Sequence, residues 1–425
     1  MSIETRRHAR QFSVALLSLS AIALYLFLIS AQYSAARLSG STRERNLVWA
    51  ARLDPFNAEF RNNIGRFQLL VRQSPSSAIP WLQTATALNP NHAAYWLDSA
   101  VAQELAGDFA SEQKSLASTV AADPRSAAIA WEVANRYLAA GSVNEALREY
   151  RRVMENDPHL APQAIQICWR VRPDIEGLLR SVIPVNVNQP FLSFLISEDQ
   201  PQAAARVWER IASLREPIRR QLLFEYLRYL FAEHDGLQAR RVWQQAAAVS
   251  GLAAYQPSDD NLLVDGDFSL DVLNGGFDWT YHKTPGVSLA LDPINGYSGA
   301  RSLRIFFEGP GIVDAGIQQI VSVEPNTQYQ FSAYYKAEEM EGAGGARFAI
   351  QDAYSDSNFF LSEDLHDAEY WTQVNGAFMT KADTHLVTVR ILRVPGGSPI
   401  RGRLWIDDLK LVTTSGVDSL QKDHS

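Results

Sequence analysis

The sequence predicts a multidomain chain: an N-terminal transmembrane helix, then an all-α solenoid, then an all-β sandwich. Three observations predict it. Residues 13–31 form a run of 19 without a charge. Asp54-Pro55, Asn89-Pro90, Asp123-Pro124 and Asp157-Pro158 recur at spacings of 35, 34 and 34, the mark of a repeated helical unit. From Asn261 onward the apolar period changes from that of a helix to that of a strand.

The 425 residues, 46% hydrophobic and 20% charged, suffice for two or three units that each bury a core. A net charge of −8 supplies no basic footprint, which argues against a nucleic-acid partner. Cys168, the one cysteine, can form neither an internal disulfide nor a multi-cysteine metal site.

Taken in order, residues 1–12 read as a cytoplasmic N-terminus carrying Arg6, Arg7, His8 and Arg10, and residues 13–31 as the membrane anchor. At about 1.5 Å per residue the run crosses a hydrocarbon core of about 30 Å. A signal peptide cleaved near Ser34-Ala35-Ala36 is the competing reading. The run exceeds the roughly 7–15 residues of a signal-peptide core, which favours retention. The leading arginines favour an inside N-terminus, and Arg37, Arg43 and Arg45 on the other flank dilute that bias. The expectation is a single-pass inner-membrane protein with its bulk periplasmic or otherwise extracytoplasmic.

Residues 41–253 read as about six helix pairs, some degenerate. Residues 45–53 close an incomplete first repeat at Asp54-Pro55, where proline cannot continue a helix. The clearest unit has periodic stretches at 127–140 and 143–156 joined at Gly141-Ser142. Its Ala134, Tyr137, Gly141, Ala146, Tyr150 and Pro158 resemble a tetratricopeptide repeat (TPR). Upstream, the same slots fall on Gly65 or Arg66, Leu69, Ala78, Leu82, Ala85 and Pro90, then on Trp96, Ala100, Gly107, Leu116 and Pro124. Prolines 173, 184 and 190 break the pattern, and phase returns where Ala204, Trp208 and Ile211 are matched 35 residues later by Ala239, Trp243 and Ala246. The resemblance implies a concave face carrying Asn63, Phe67, Leu97, Val101, Trp131 and Asn135. Two readings stand: a groove for a peptide or helix of a protein partner, or, at Trp131, packing against the next repeat. Cys168 occupies a small-residue slot with no histidine placed to activate it, and reads as a buried hydrophobe.

Residues 254–260 read as a linker, 261–414 as the sandwich and 415–425 as a polar tail. Ile317, Gln319, Val321 and Val323, then Tyr329, Phe331, Ala333 and Tyr335, then Val387, Val389 and Ile391, alternate against other residues. In order, NLLVDGDF at 261–268, Trp279, GYSGARSLRI at 296–305, QQIVSV at 318–323, PNTQYQFSAYYKA at 325–337, Trp371 and WIDDL at 405–409 resemble a carbohydrate-binding module of the jelly-roll type, families 4 and 9, with a galactose-binding-like fold. The resemblance implies that Trp279, Trp371 and Trp405 are buried framework. It also implies a structural calcium at Asp267, Ser298 and Asp408, although Ser269 stands where relatives commonly carry Glu. Sugar recognition needs exposed aromatic faces beside polar side chains. The candidates are Tyr281, Tyr335, Tyr354, Phe359 and Phe360, the last three flanked by Gln351, Asp352, Asp356 and Asn358. Tyr335 shares its strand face with Phe331 and Ala333, so a core position is equally open.

Glu363, Asp364, His366, Asp367 and Glu369 gather titratable groups, but a charged run between strands reads as a solvated loop. HExxH, GxSxG and P-loop motifs are absent from the sequence. The functional expectation is a non-catalytic, membrane-anchored scaffold joining a TPR groove to a carbohydrate-binding-like domain, serving assembly, export or retention of a cell-surface polysaccharide. The alternative is a structural assembly factor of an envelope complex whose jelly roll binds protein.

Overall fold

A computed structural model describes residues 3–299, 301–355 and 357–414. The expected tail 415–425, Asp356, and the side chains of Arg6, Arg7, His8 and Arg10 lie outside the described residues. The chain divides into two compact units, Met1–Val187 and Asn188–Ser425.

The first unit opens with α1 (Ile3–Ser39). Its segment Phe12–Ser39 contains an apolar stretch of mean hydropathy 2.4 that is not buried in the protein, so length and composition fit a membrane span or a signal sequence. Next come α2 (Glu44–Leu53), α3 (Ala58–Leu70), α4 (Pro75–Leu88), α5 (Ala93–Leu105), α6 (Phe109–Ala122), α7 (Ala127–Ala139), α8 (Val143–Asn156), α9 (Ala161–Val171) and α10 (Ile175–Ser181). Helices α3 and α4, α5 and α6, and α7 and α8 pack as the pairs of a TPR-like solenoid. The periodic dipeptides explain the phase: Asp54, Asn89, Asp123 and Asp157 cap the C-termini of α2, α4, α6 and α8. The proline after each has no N–H to donate to a continued helix. Asn57, Asp108 and Ser126 accept backbone N–H groups at the N-termini of α3, α6 and α7. Gly65 rather than Arg66 fills the small slot, since a Cβ there would stand 2.5 Å from the Leu82 side chain.

The second unit begins with α11 (Asn188–Ser197), α12 (Pro201–Ser213), α13 (Arg220–Ala232) and α14 (Gly236–Ser250), with Trp208 and Trp243 buried between helices. Ten strands follow: β1 (Thr280–Tyr281), β2 (Val287–Asp292), β3 (Ser302–Gly311), β4 (Asp314–Ser322), β5 (Gln328–Glu341), β6 (Gly345–Asp352), β7 (Asn358–Leu361), β8 (Ala368–Met379), β9 (Leu386–Val394) and β10 (Pro399–Thr413). They form two antiparallel sheets, ordered β1-β4-β9-β6-β7 and β2-β3-β10-β5-β8. The alternation read from the sequence is the burial pattern: Tyr329, Phe331, Ala333, Tyr335 and Ala337 of β5 face Ile317, Val321, Phe348 and Val389 across one core. Gln319 shares that inward face without cost, because its amide exchanges hydrogen bonds of 2.9 and 2.8 Å with the backbone of Val264.

The helices of the second unit pack directly on the sandwich, which is why they group with it and the compact division falls before α11 rather than at the 254–260 segment. Phe277 meets Phe231 edge-on with centroids 5.3 Å apart and Trp243 at 6.2 Å. Trp243 Nε1 donates to the Tyr255 carbonyl at 2.9 Å. Gly276 makes the approach feasible: its φ is +67° and a Cβ would lie 2.4 Å from the Trp243 ring. Asp278 braces the same loop, fully buried, its Oδ2 accepting the Leu273 N–H at 2.6 Å.

Gly276→Ala is expected to cost the second unit about 2–4 kcal/mol, combining left-handed backbone strain with overpacking, readable as a lowered unfolding midpoint in urea. Burial pushes the Asp278 carboxyl up to about 6. A carboxyl raised on folding favours the folded state while protonated, so its contribution is complete below about pH 4 and is lost as pH rises through about 6. Asp278→Asn, which keeps the acceptor oxygen, is therefore expected to raise Tm at about pH 8 and leave it nearly unchanged near pH 4, by calorimetry at both values.

Candidate functional site

The outward face of the first sheet carries polar side chains in register. Gln318 of β4 pairs with Arg390 of β9, Ile320 with Thr388, and Thr388 in turn with Gln351 of β6. Directly paired residues point to the same face, so these side chains form one floor. The connection from β6 to β7 brings Tyr354 and Ser355 to its edge. The end of α13 and the turn into α14 bring Phe231, Ala232 and His234. The result is a cleft of about 630 Å³.

Its walls are pre-organised. The Tyr354 ring stacks on His234 with centroids 3.9 Å apart and planes 12° from parallel. Tyr354 N–H donates to Asp352 Oδ1 at 2.9 Å, and Asp352 Oδ2 accepts from Thr384 Oγ1 at 3.0 Å. Burial, with Asp235 and Asp352 adding repulsion, pushes the Tyr354 phenol up to about 12, so it stays a neutral donor. Arg390 is held by an ion pair with Asp314. The cleft thus offers amide, hydroxyl and guanidinium hydrogen-bonding groups beside the half-exposed Tyr354 ring.

Of the sugar-binding candidates, only Tyr354 lines this cleft. Tyr335 is 8% exposed and belongs to the core. Phe359 stacks on Phe378 at 5.7 Å and Phe360 tilts against Phe331 at 5.5 Å, so both rings are half-buried against the core. Tyr281 is 52% exposed on β1, apart from the cleft lining. Trp279 and Trp405 are buried, but Trp371 is only half-buried: it flanks Tyr297, which stacks on Tyr334 at 3.8 Å on the outside of the second sheet. The sequence reading named Gln351 as a polar neighbour of Tyr354 but missed Gln318, Thr388 and Arg390, although strand alternation marked these three as outward positions. Nothing local marked His234, Phe231 or the Tyr297 cluster.

The calcium candidates Asp267, Ser298 and Asp408 do line one hollow of about 400 Å³, together with Asp265 and Ser269. Some of their oxygens are engaged, while the Oδ2 of Asp265 is buried without a hydrogen-bond partner. Ser298 Oγ donates to Asp407 at 3.0 Å, Asp267 accepts the Ser269 N–H at 3.2 Å, and Lys410 Nζ lies 2.9 Å from Asp408. Asp407, fully buried, collects the N–H groups of Tyr297, Ser298 and Asp408 and so holds the turn by itself. Among the described residues no group of three or more His, Cys, Asp or Glu side chains is placed to hold a metal.

In the solenoid, Asn63 and Phe67 of α3, Leu97 and Val101 of α5, and Trp131 of α7 are half-buried, and Asn135 is exposed. Trp131 meets Tyr150 edge-on at 5.6 Å, and Asn135 Oδ1 accepts the Tyr150 hydroxyl at 2.6 Å. Beside them, Asn62 donates to Asp98 at 2.8 Å and Arg136 to Glu104 at 2.6 Å, linking α3 to α5 and α5 to α7. These first helices therefore present half-buried apolar side chains next to a fixed polar row.

No family model and no curated protein matches the chain. Among solved structures, a CBM4 module is similar at 15% identity, covering 36% of this chain and 99% of its own, with a TM-score of 0.28. The CBM22-1 xylan-binding domain of Paenibacillus barcinonensis Xyn10C is similar at 15% identity over 35% of this chain and 91% of its own, TM-score 0.24. A crystal structure of MamA protein is similar at 14% identity over 44% of this chain and 94% of its own, TM-score 0.29.

Cys168 is fully buried and desolvation pushes its thiol up to about 12. A thiol reagent is expected to leave the native protein unmodified and to find one thiol per chain after unfolding in guanidinium, counted by absorbance.

Proposed function

We propose that this chain is a non-catalytic, membrane-anchored scaffold. In this reading α1 holds it in the membrane, the solenoid recruits a protein partner, and the cleft on the first sheet binds a glycan of the cell surface. The observation that carries the glycan reading is the pairing of Tyr354 with Gln318, Gln351, Thr388 and Arg390 around one cleft. A pyranose presents an apolar ring face and a rim of hydroxyls, and this site supplies a partner for each. The apolar stretch Phe12–Ser39 supports the anchor, and the half-buried row on α3, α5 and α7 supports the protein groove.

A second reading has its own support. The helical turn at His234 covers one face of Tyr354, as expected if the sandwich serves as a structural partner of the helices and the cleft accepts a protein segment.

The test is binding of the full chain, in detergent, to an array of envelope and plant polysaccharides, with and without calcium. Tyr354→Ala and Gln318→Ala are expected each to weaken glycan binding about tenfold while leaving the unfolding midpoint within the scatter of the parent. A folded protein that binds no polysaccharide on the array would sink the glycan reading and favour the protein-binding one.

A further inference from the structure

The first two helices carry a surface that neither the groove nor the cleft uses. α2 buries Leu47, Ala50 and Ala51 in one cluster with Ala35 of α1. At about 100° per residue its opposite face holds Arg45, Trp49, Arg52 and Leu53, where a water-facing helix would show polar residues alone. Trp49 is 51% exposed, and Phe56, just past the helix end, is 82% exposed. The Arg52 guanidinium lies 5.6 Å from the Trp49 ring centroid, and Arg37 lies 5.9 Å from that of Tyr33 on α1. Arg37, Arg43, Arg45 and Arg52 are all exposed, and among the described residues none is paired with a carboxylate.

The chain path says what meets this face. About 20 residues of helix cross the hydrocarbon, so a helix entering at Phe12 leaves it near residue 32, and residues 33–39 stand at headgroup level. Residues 40–43 then turn the chain, and the shared cluster of Ala35 with Leu47, Ala50 and Ala51 shows that α2 runs back beside the last turns of α1. The end of α2 nearer the bilayer is therefore its C-terminal end, with Trp49, Leu53 and, in the following turn, Phe56.

We propose that this hairpin lies on the bilayer surface, with Trp49, Leu53 and Phe56 at the boundary of the acyl chains and Arg45 and Arg52 on lipid phosphates. Indole and guanidinium are suited to that layer, since each has a flat apolar surface and donors for phosphate oxygens. The contact would orient the first unit against the membrane instead of leaving it on a free stalk. This inference rests on the anchored reading of α1.

The test uses the full chain in vesicles of phosphatidylcholine and phosphatidylglycerol. Because Cys168 is buried, a cysteine introduced by Phe56→Cys, or by Phe109→Cys as a control at the start of α6, where Phe109 is also exposed, is the one that takes an environment-sensitive dye. Flotation reports anchoring, and quenching by a headgroup spin-labelled lipid reports proximity. Flotation with quenching at least about twofold stronger at position 56 than at 109 is expected. Flotation with equal quenching at both positions would overturn the surface contact and leave the anchor standing. A chain that stays at the bottom of the gradient overturns both.

Discussion

Phe277, pressed between Phe231 and Trp243, decides where the α13–α14 turn stands over the first sheet, and the cleft exists because of that placement. Move the turn by a few ångströms and His234 leaves Tyr354, the wall is gone, and the floor of Gln318, Thr388 and Arg390 becomes an ordinary sheet surface. The contact is aromatic on aromatic, the arrangement that combines large area with a fixed relative geometry. It is possible only because Gly276 brings the backbone against the Trp243 ring. One glycine and three rings thus connect packing to the site.

The two kinds of repeat that organise the chain are local and were legible for that reason. A proline after Asp54, Asn89, Asp123 or Asp157 stops a helix whatever else surrounds it, and alternation along β5 follows from the pleat. The cleft is not local. Tyr354 could be singled out because it stands in a polar loop, but Phe359 and Phe360 stand in the same stretch and turn onto Phe378 and Phe331, since β7 is a sheet edge closing over the core. In the Asp407-Asp408 pair a single step along β10 decides that Asp407 holds the turn while Asp408 meets Lys410. Composition cannot read that step. His234 lies 120 positions from Tyr354, and no pattern in either segment announces the other.

Electrostatics plays a restrained part in the described sites. The charged groups near the cleft and along the solenoid are mostly paired, Arg390 with Asp314 and Arg136 with Glu104. Pairs of this kind orient side chains more than they stabilise the fold. Packing holds the molecule, in keeping with a chain that has one cysteine, deeply buried and chemically quiet.

The stack of His234 on Tyr354 gives the cleft two walls that belong to different parts of the chain. A molecule seated there touches the helices and the sandwich at once, so its binding free energy adds to whatever holds the two together. If that molecule is a polymer under tension, the pull runs through a joint that the polymer itself reinforces. Under that condition the joint would be firmest while the ligand is seated and would loosen when the strand slips free.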